Sequence, residues 1–268
     1  LGKIDWNIND KHQFTLRYNY IDAFDDNLSR SANFFRFGNN AYKFTNKQSS
    51  LVAELRSNFN SSFSNNLILG YSSIKDSRDT AGSPFPQITI LNIGGVSGAS
   101  AEFGSQRSSF ANELDQTIFE VTDNFKWNIG KNTFTLGTHN EFFSFRNLFI
   151  NNLNGRWDFN SVADYLNNVP ARVRATYSLI PGESRPEAKF SAAQLAFYAQ
   201  GESEVFKNFR LTYGIRLDVP IIGDKPLRNP KIEASFPGYR TDNTPSGQLL
   251  WAPRAGFNYN VNGDRSLV

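Results

Sequence analysis

Five times along this chain a segment of alternating apolar and polar residues runs into a turn of only a few residues. Between those places lie connections of some two dozen residues or more. Ile4, Trp6 and Ile8 alternate with Lys3, Asp5 and Asn7. After Asn9-Asp10-Lys11, Phe14, Leu16, Tyr18 and Tyr20 alternate with Gln13, Thr15, Arg17 and Asn19. Leu51, Ala53, Leu55 and Phe59 lead through Asn60-Ser61-Ser62 to Leu67, Leu69 and Tyr71. Phe119, Val121, Phe125, Trp127 and Ile129 lead through Gly130-Lys131-Asn132 to Phe134 and Leu136. Leu195, Phe197, Ala199 and Val205 lead through Lys207-Asn208 to Phe209, Leu211, Tyr213, Ile215 and Leu217. Ala255, Phe257, Tyr259 and Val261 lead to Asn262-Gly263-Asp264.

A period of two places each apolar set on one face of a strand. About ten residues at ~3.3 Å each, tilted by about 40°, span roughly 25 Å, the height of the apolar band of an outer-membrane barrel. Strands of soluble proteins average about five or six residues. Long strands, short turns at one end and long loops at the other predict an all-β fold: part of an antiparallel transmembrane β-barrel of the outer membrane. The expected lipid face carries Phe14, Leu16, Leu69, Phe125, Leu136, Leu211, Tyr213, Ile215 and Phe257. The short turns are expected on the periplasmic side, and the connections 23–48, 75–116, 147–190 and 220–248 on the outer side.

The opposite face of the same strands carries Arg17, Glu54, Arg56, Glu120, Lys126, His139, Glu141, Gln200, Glu202, Arg210, Arg216 and Asp218. A dry core does not tolerate so many ionisable groups. The interior is therefore expected to be wet or packed against another polar element. Arg17, Arg56, His139, Glu141, Arg216 and Asp218 are the candidates to line the lumen or face a plug. A soluble sandwich shows the same alternation with the faces reversed; the alternation of short turns with long loops favours the barrel.

Composition agrees. The 268 residues carry a net charge of +3 with no basic run, which gives nucleic-acid binding no support. Mean hydropathy is −0.46, as expected where only alternate strand residues meet lipid. The 25 Phe and 10 Tyr fit aromatic girdles, and also the ordinary strand propensity of aromatics. There is no cysteine, and so no thiolate chemistry or disulfide. No apolar run reaches the roughly 18 residues of a spanning helix.

Chemistry-bearing patterns are weak. His139-Asn140 matches the His-Asn pair of outer-membrane phospholipases but lacks a serine in a matching context, so the chain is expected not to be an enzyme. Two distant histidines, His12 and His139, make no zinc site. Asn258-x-Asn260-x-Asn262-Gly263-Asp264 imitates the start of a calcium loop without its first carboxylate, and strand alternation into an Asn-Gly turn explains it. Gly94–Gly98 is not followed by Lys-Ser/Thr and is no phosphate loop. No cofactor is expected. In the third connection Ser161-x-x-Asp164 predicts a helix start. Trp157 and Tyr165 beside it are candidate ligand contacts, or parts of a loop core.

Several stretches carry a family resemblance. NTFTLGTHNEFFSFRNLFI at Asn132–Ile150, NGRWDFNSVADYLNNVP at Asn154–Pro170, LAFYAQGESEVFKNFRLTYGIRLDVP at Leu195–Pro220 and WAPRAGFNYNVNGDRSLV at Trp251–Val268 together resemble the barrel of TonB-dependent receptors. The nearest subgroup is the Oar-like receptors bearing a carboxypeptidase-regulatory domain, common in Bacteroidota. The chain departs from it at Gln200-Gly201-Glu202-Ser203, where the family shows Gln-Asp-x-Trp. The resemblance implies a barrel of about twenty-two strands, of which this chain supplies about ten. It also implies the chain's own plug domain, a TonB-type energy-coupling partner, an extracellular solute and surrounding membrane lipid. Leu1 is not an initiator Met and no signal segment follows it; Leu267-Val268 reads as a strand beginning. The expectation is a fragment of a longer chain, with the plug and export signal upstream, that forms an open, curved sheet.

Overall fold

The computed structural model describes residues 1–261. In chain order the strands are β1 (Gly2–Asn9), β2 (His12–Asn27), β3 (Phe34–Arg36), β4 (Tyr42–Asn58), β5 (Phe63–Thr80), β6 (Gln87–Leu91), β7 (Ser100–Phe103), β8 (Asn112–Ile129), β9 (Asn132–Phe149), β10 (Arg156–Phe159), β11 (Arg172–Arg174), β12 (Ala188–Phe206), β13 (Phe209–Ile222) and β14 (Leu250–Tyr259). The helices are α1 (Val162–Leu166) and α2 (Pro230–Ser235). None is long and apolar enough to cross a membrane.

Nine strands form one open antiparallel sheet in the order β1-β2-β4-β5-β8-β9-β12-β13-β14. Four hairpins close at the expected short turns, which hold residues 10–11, 59–62, 130–131 and 207–208. The turn at Asn262–Asp264 and the strand expected from Leu267 lie outside the described residues. Turn chemistry fits the sites. The Asn9 and Asn60 side chains each accept backbone N–H groups two and three residues on, and Gly130 and Asn208 take left-handed backbone at φ 57° and 65°.

The register puts the alternation to use. Tyr18, Leu51, Tyr71, Phe119, Phe142 and Ala193 are successive cross-strand partners in one row. Two residues nearer the short turns, Leu16, Ala53, Leu69 and Val121 form the next row. Lower still, Phe63, Trp127 and Phe134 are partners, with ring centroids 6.2 and 5.8 Å apart. This face is open: Ile4 is 64% exposed, Leu136 58%, Phe197 52% and Phe257 76%. A soluble sandwich would cover these side chains, so the apolar face is the one that meets lipid.

Two expectations are corrected. The strands continue well past the apolar band, to between 16 and 19 residues in β2, β4, β5, β8, β9 and β12. The long connections therefore shrink from the expected spans to 28–41, 81–111, 150–187 and 223–249. Polar side chains on both faces of these extensions masked them, because the alternation of hydropathy ends where lipid ends. At the foot of β12 the register shifts between Glu204 and Phe206, so Phe206 takes the place in the apolar set that the alternation assigned to Val205 and pairs with Phe209, with stacked rings 4.7 Å apart.

The connections themselves fold. A second sheet, β11-β10-β6-β7-β3, draws one strand from the first long connection and two each from the second and third. Its β10–β6 and β3–β7 pairs, which join different connections, are parallel. Ile88, Ile90 and Phe159 form its buried core, with Ile93, Phe103 and Trp157 packed against them. A smaller cluster of Ala111, Leu148 and Ile150 sits where β8 and β9 enter the loops. Most of the fully buried apolar side chains thus lie in or beside the loop region rather than between faces of the large sheet.

Candidate functional site

The six candidate lumen residues share the charged face, and the register gathers them into two groups. The first is centred on Glu54, which is buried at 7% exposure on β4. Arg56 Nε donates to Glu54 Oε1 at 2.8 Å, and Arg17 Nη2 lies 4.0 Å from Glu54 Oε2. Beside them Thr15 Oγ1 donates to Asp5 Oδ1 at 2.7 Å, and Lys3 Nζ pairs with Asp5 Oδ2 at 2.8 Å. One carboxylate held by two guanidinium-bearing side chains leaves donor capacity pointing away from the wall, since each guanidinium has five N–H groups.

The second group crosses β8, β9, β12 and β13. Glu120 and Glu141 are register partners. His139 lies between them, with Nδ1 3.5 Å from Glu120 Oε1 and Nε2 3.8 Å from Glu141 Oε2, and Nδ1 also 2.7 Å from Thr122 Oγ1. Arg216 holds Asp218 with a bidentate pair, Nε to Oδ2 at 2.9 Å and Nη2 to Oδ1 at 2.9 Å. Gln194, the register partner of Glu141, donates to Asp218 Oδ1 at 3.2 Å. Tyr198 lies between the strands, its hydroxyl donating to Asn124 Oδ1 at 2.6 Å, with the Arg216 guanidinium 5.7 Å from its ring.

His139 and Asn140 do not act together. Strand alternation sends them to opposite faces. Asn140 accepts from the Ala196 N–H at 3.3 Å and donates to Thr138 Oγ1 at 2.7 Å, while Thr138 donates to the Ala196 carbonyl at 2.8 Å. These side chains satisfy a backbone residue that lacks a ladder partner on β9. On the same lipid-side face Asn65 Nδ2 donates to Asp123 Oδ1 at 2.7 Å. Sequence reading passed over this polar chain of Asn65, Asp123, Thr138 and Asn140. Asp123 breaking the apolar alternation between Val121 and Phe125 was the available signal.

Above the wall stands the loop sheet. Trp157 packs against its core, and Tyr165 sets its ring edge-on against Phe159 at 5.3 Å and Phe103 at 5.8 Å. Both therefore serve the loop core, and Tyr165 remains 37% exposed. The expected helix start is present: Ser161 Oγ accepts from the Asp164 N–H at 3.1 Å and opens α1. A polar chain ties the connections together. Gln87 Oε1 accepts the Arg107 N–H at 2.8 Å, Thr89 donates to Glu102 at 3.3 Å, and Glu102 pairs with Arg36 at 3.1 Å. Gly104, at φ +84°, has no room for a side chain, since an added Cβ would meet the Pro86 carbonyl at 2.0 Å. The fourth connection holds α2, opened by Asn229 accepting from the Lys231 N–H with Pro230 at the first helical position, an Asn-Pro start carried by the sequence itself.

Where strands and loops meet, Arg146 binds Glu113 Oε2 at 2.9 Å, Asp115 Oδ2 at 3.1 Å and Glu187, while Lys189 pairs with Glu187 at 3.0 Å. Hydrogen bonds from Arg146 and then Lys189 hold the Glu187 carboxyl at about 2, well below the ordinary 4.5. No group of His, Asp and Glu suited to a metal ion occurs among the described residues.

No curated protein matches this sequence. Among solved structures, the outer membrane transporter YddB from Escherichia coli is similar, with a TM-score of 0.57 at 12% identity. The likeness covers 98% of this chain and 29% of that one, so this chain spans less than a third of the transporter it resembles. At that identity it speaks for the fold. The family model for the outer membrane beta barrel domain matches residues 1–268. With lipid-facing strands, a charged opposite face and folded outer connections, this chain belongs to the outer membrane beta barrel domain family and resides in the outer membrane of a Gram-negative bacterium.

Proposed function

We propose that this domain is part of an outer-membrane receptor that imports a scarce solute, with energy delivered through a periplasmic TonB-type partner. The observation that carries the reading is the folding of three long connections into one sheet with its own buried core. A passive pore needs no such structure. A receptor needs rigid, preformed loops, because ordering flexible loops on binding would cost affinity. The charged wall completes the reading. Arg17, Arg56, Glu141, Arg216 and Asp218 would hold a plug domain of the same polypeptide by ion pairs exposed enough to exchange partners as the plug moves. The protein makes and breaks no covalent bond on this reading.

The folded loop sheet would also serve a surface adhesin anchored by the barrel. Planar-bilayer conductance of the full-length protein separates the alternatives. A plugged importer is closed at rest and binds the periplasmic domain of a TonB-type protein. Steady conductance without that partner would leave a passive porin, and a closed barrel that binds no such partner would leave the adhesin.

A further inference from the structure

Above the apolar rows the lipid-side face changes in two steps. The first row beyond Tyr18–Ala193 is hydroxyl-bearing, with Ser49 and Ser73 as register partners at its β4–β5 position. The next is charged, and there Lys47 and Lys75 stand directly opposite each other. Like charges in direct cross-strand register destabilise a sheet. The protein neutralises this pair poorly. Lys47 reaches only Asp22, at 3.7 Å. The Lys75 side chain has no ion pair or hydrogen bond among the described residues. Its other register partner, Asp115, is held by Arg146 at 3.1 Å. Both ammonium groups are exposed, and neither the Ser49 nor the Ser73 hydroxyl has a partner among the described residues.

Depth places this pair. Lys75 lies 12 residues (75 − 63) along β5 from its first residue, Phe63. At ~3.3 Å per residue and a tilt of about 40°, that is a rise of roughly 30 Å, just past the ~25 Å apolar band. Two facing lysines over two free hydroxyls, over the aromatic row with Tyr71, match a phosphate whose acyl chains run down the wall. We propose that Lys47, Lys75, Ser49 and Ser73 form a seat for the phosphate of a phosphorylated glycolipid of the outer leaflet. The bound phosphate supplies the negative charge that the lysine pair lacks, and the aromatic row beneath takes the start of the chains.

The test uses the full-length protein in non-ionic detergent, with diphosphoryl and enzymatically dephosphorylated forms of an outer-leaflet glycolipid as probes and native mass spectrometry as readout. The diphosphoryl form should be retained at least tenfold better, and Lys47→Glu with Lys75→Glu should abolish that preference. Lys131→Glu, at a short turn, should leave it intact. Lys75→Gln removes a like-charge clash, so it should fold and still lose about threefold in retention. Equal retention of the two lipid forms, or a preference untouched by Lys75→Gln, would overturn the proposal. Displacement of the lipid by millimolar inorganic phosphate would overturn the assignment to lipid.

Discussion

The phenol ring of Tyr198 lies flat over Gly137, its register partner on the neighbouring strand: a Cβ added at Gly137 would meet the ring at 2.3 Å. Tyr213 covers its partner Gly201 in the same way on the lipid-side face, at 2.4 Å. In each case the missing side chain leaves the space the ring occupies, and at Gly137 it lets the ring reach across to Asn124 on β8; a strand glycine marks such a close approach.

Gly137→Ala should therefore push the Tyr198 ring aside and break its hydrogen bond to Asn124. The expected cost is about 1–3 kcal/mol. In the Tyr198→Ala background the same change should cost almost nothing. A double-mutant cycle by denaturant unfolding of the vesicle-inserted full-length protein reads the coupling. Additive effects would mean that the ring does not depend on the glycine.

Leu211 and Thr212 are adjacent on β13 and point to opposite faces. Leu211 partners Ser203 and Phe257, whereas Thr212 partners Glu202 and Gly256. Ile215, on the same face as Leu211 and six residues along β13 from Phe209, lies near mid-bilayer depth, so Ile215→Arg should cost roughly 2–4 kcal/mol and Thr212→Arg much less. Equal costs in a refolding assay would refute the facing.

Orientation can be read chemically because the chain has no cysteine. Val96→Cys lies in the second long connection and Ser61→Cys in a short turn, both at exposed positions. In intact cells an impermeant thiol reagent should label the first and spare the second. The reverse pattern would invert the topology.

Phe159 is 2% exposed in the core of the loop sheet. Phe159→Ala should cost about 3 kcal/mol or more, spent locally. Limited proteolysis should then cut within 81–111 and 150–187 while the barrel keeps its heat-modifiable mobility on gels. Loss of the barrel itself would show that the two sheets are one cooperative unit.

Glu187 is depressed, so the sign is that of a carboxylate stabilised in its charged form. The contribution of its pairing with Arg146 is complete above the ordinary value of 4.5 and is lost as pH falls toward about 2. Carboxyl resonances of glutamate-labelled protein should show Glu187 titrating near 2. Arg146→Gln should move it most of the way back toward 4.5. An ordinary midpoint in the unaltered protein would mean that the pair does not form.

Sequence alone determined the strands that cross lipid, their short turns, the two faces and the cap at Ser161. All of these follow from period-two alternation or from contacts within three residues, and a membrane enforces that period over about ten residues at a time. The tertiary structure decided the rest. The extensions of β4, β5 and β8 beyond the bilayer carry no hydropathy signal, because water touches both faces there. The parallel pairing of β6 with β10 and of β3 with β7 joins segments dozens of residues apart, through runs too short to announce themselves. The grouping of Arg17 and Arg56 around Glu54, and of His139 between Glu120 and Glu141, depends on strand register. Register is set by the summed fit of every cross-strand pair and is carried by no single residue.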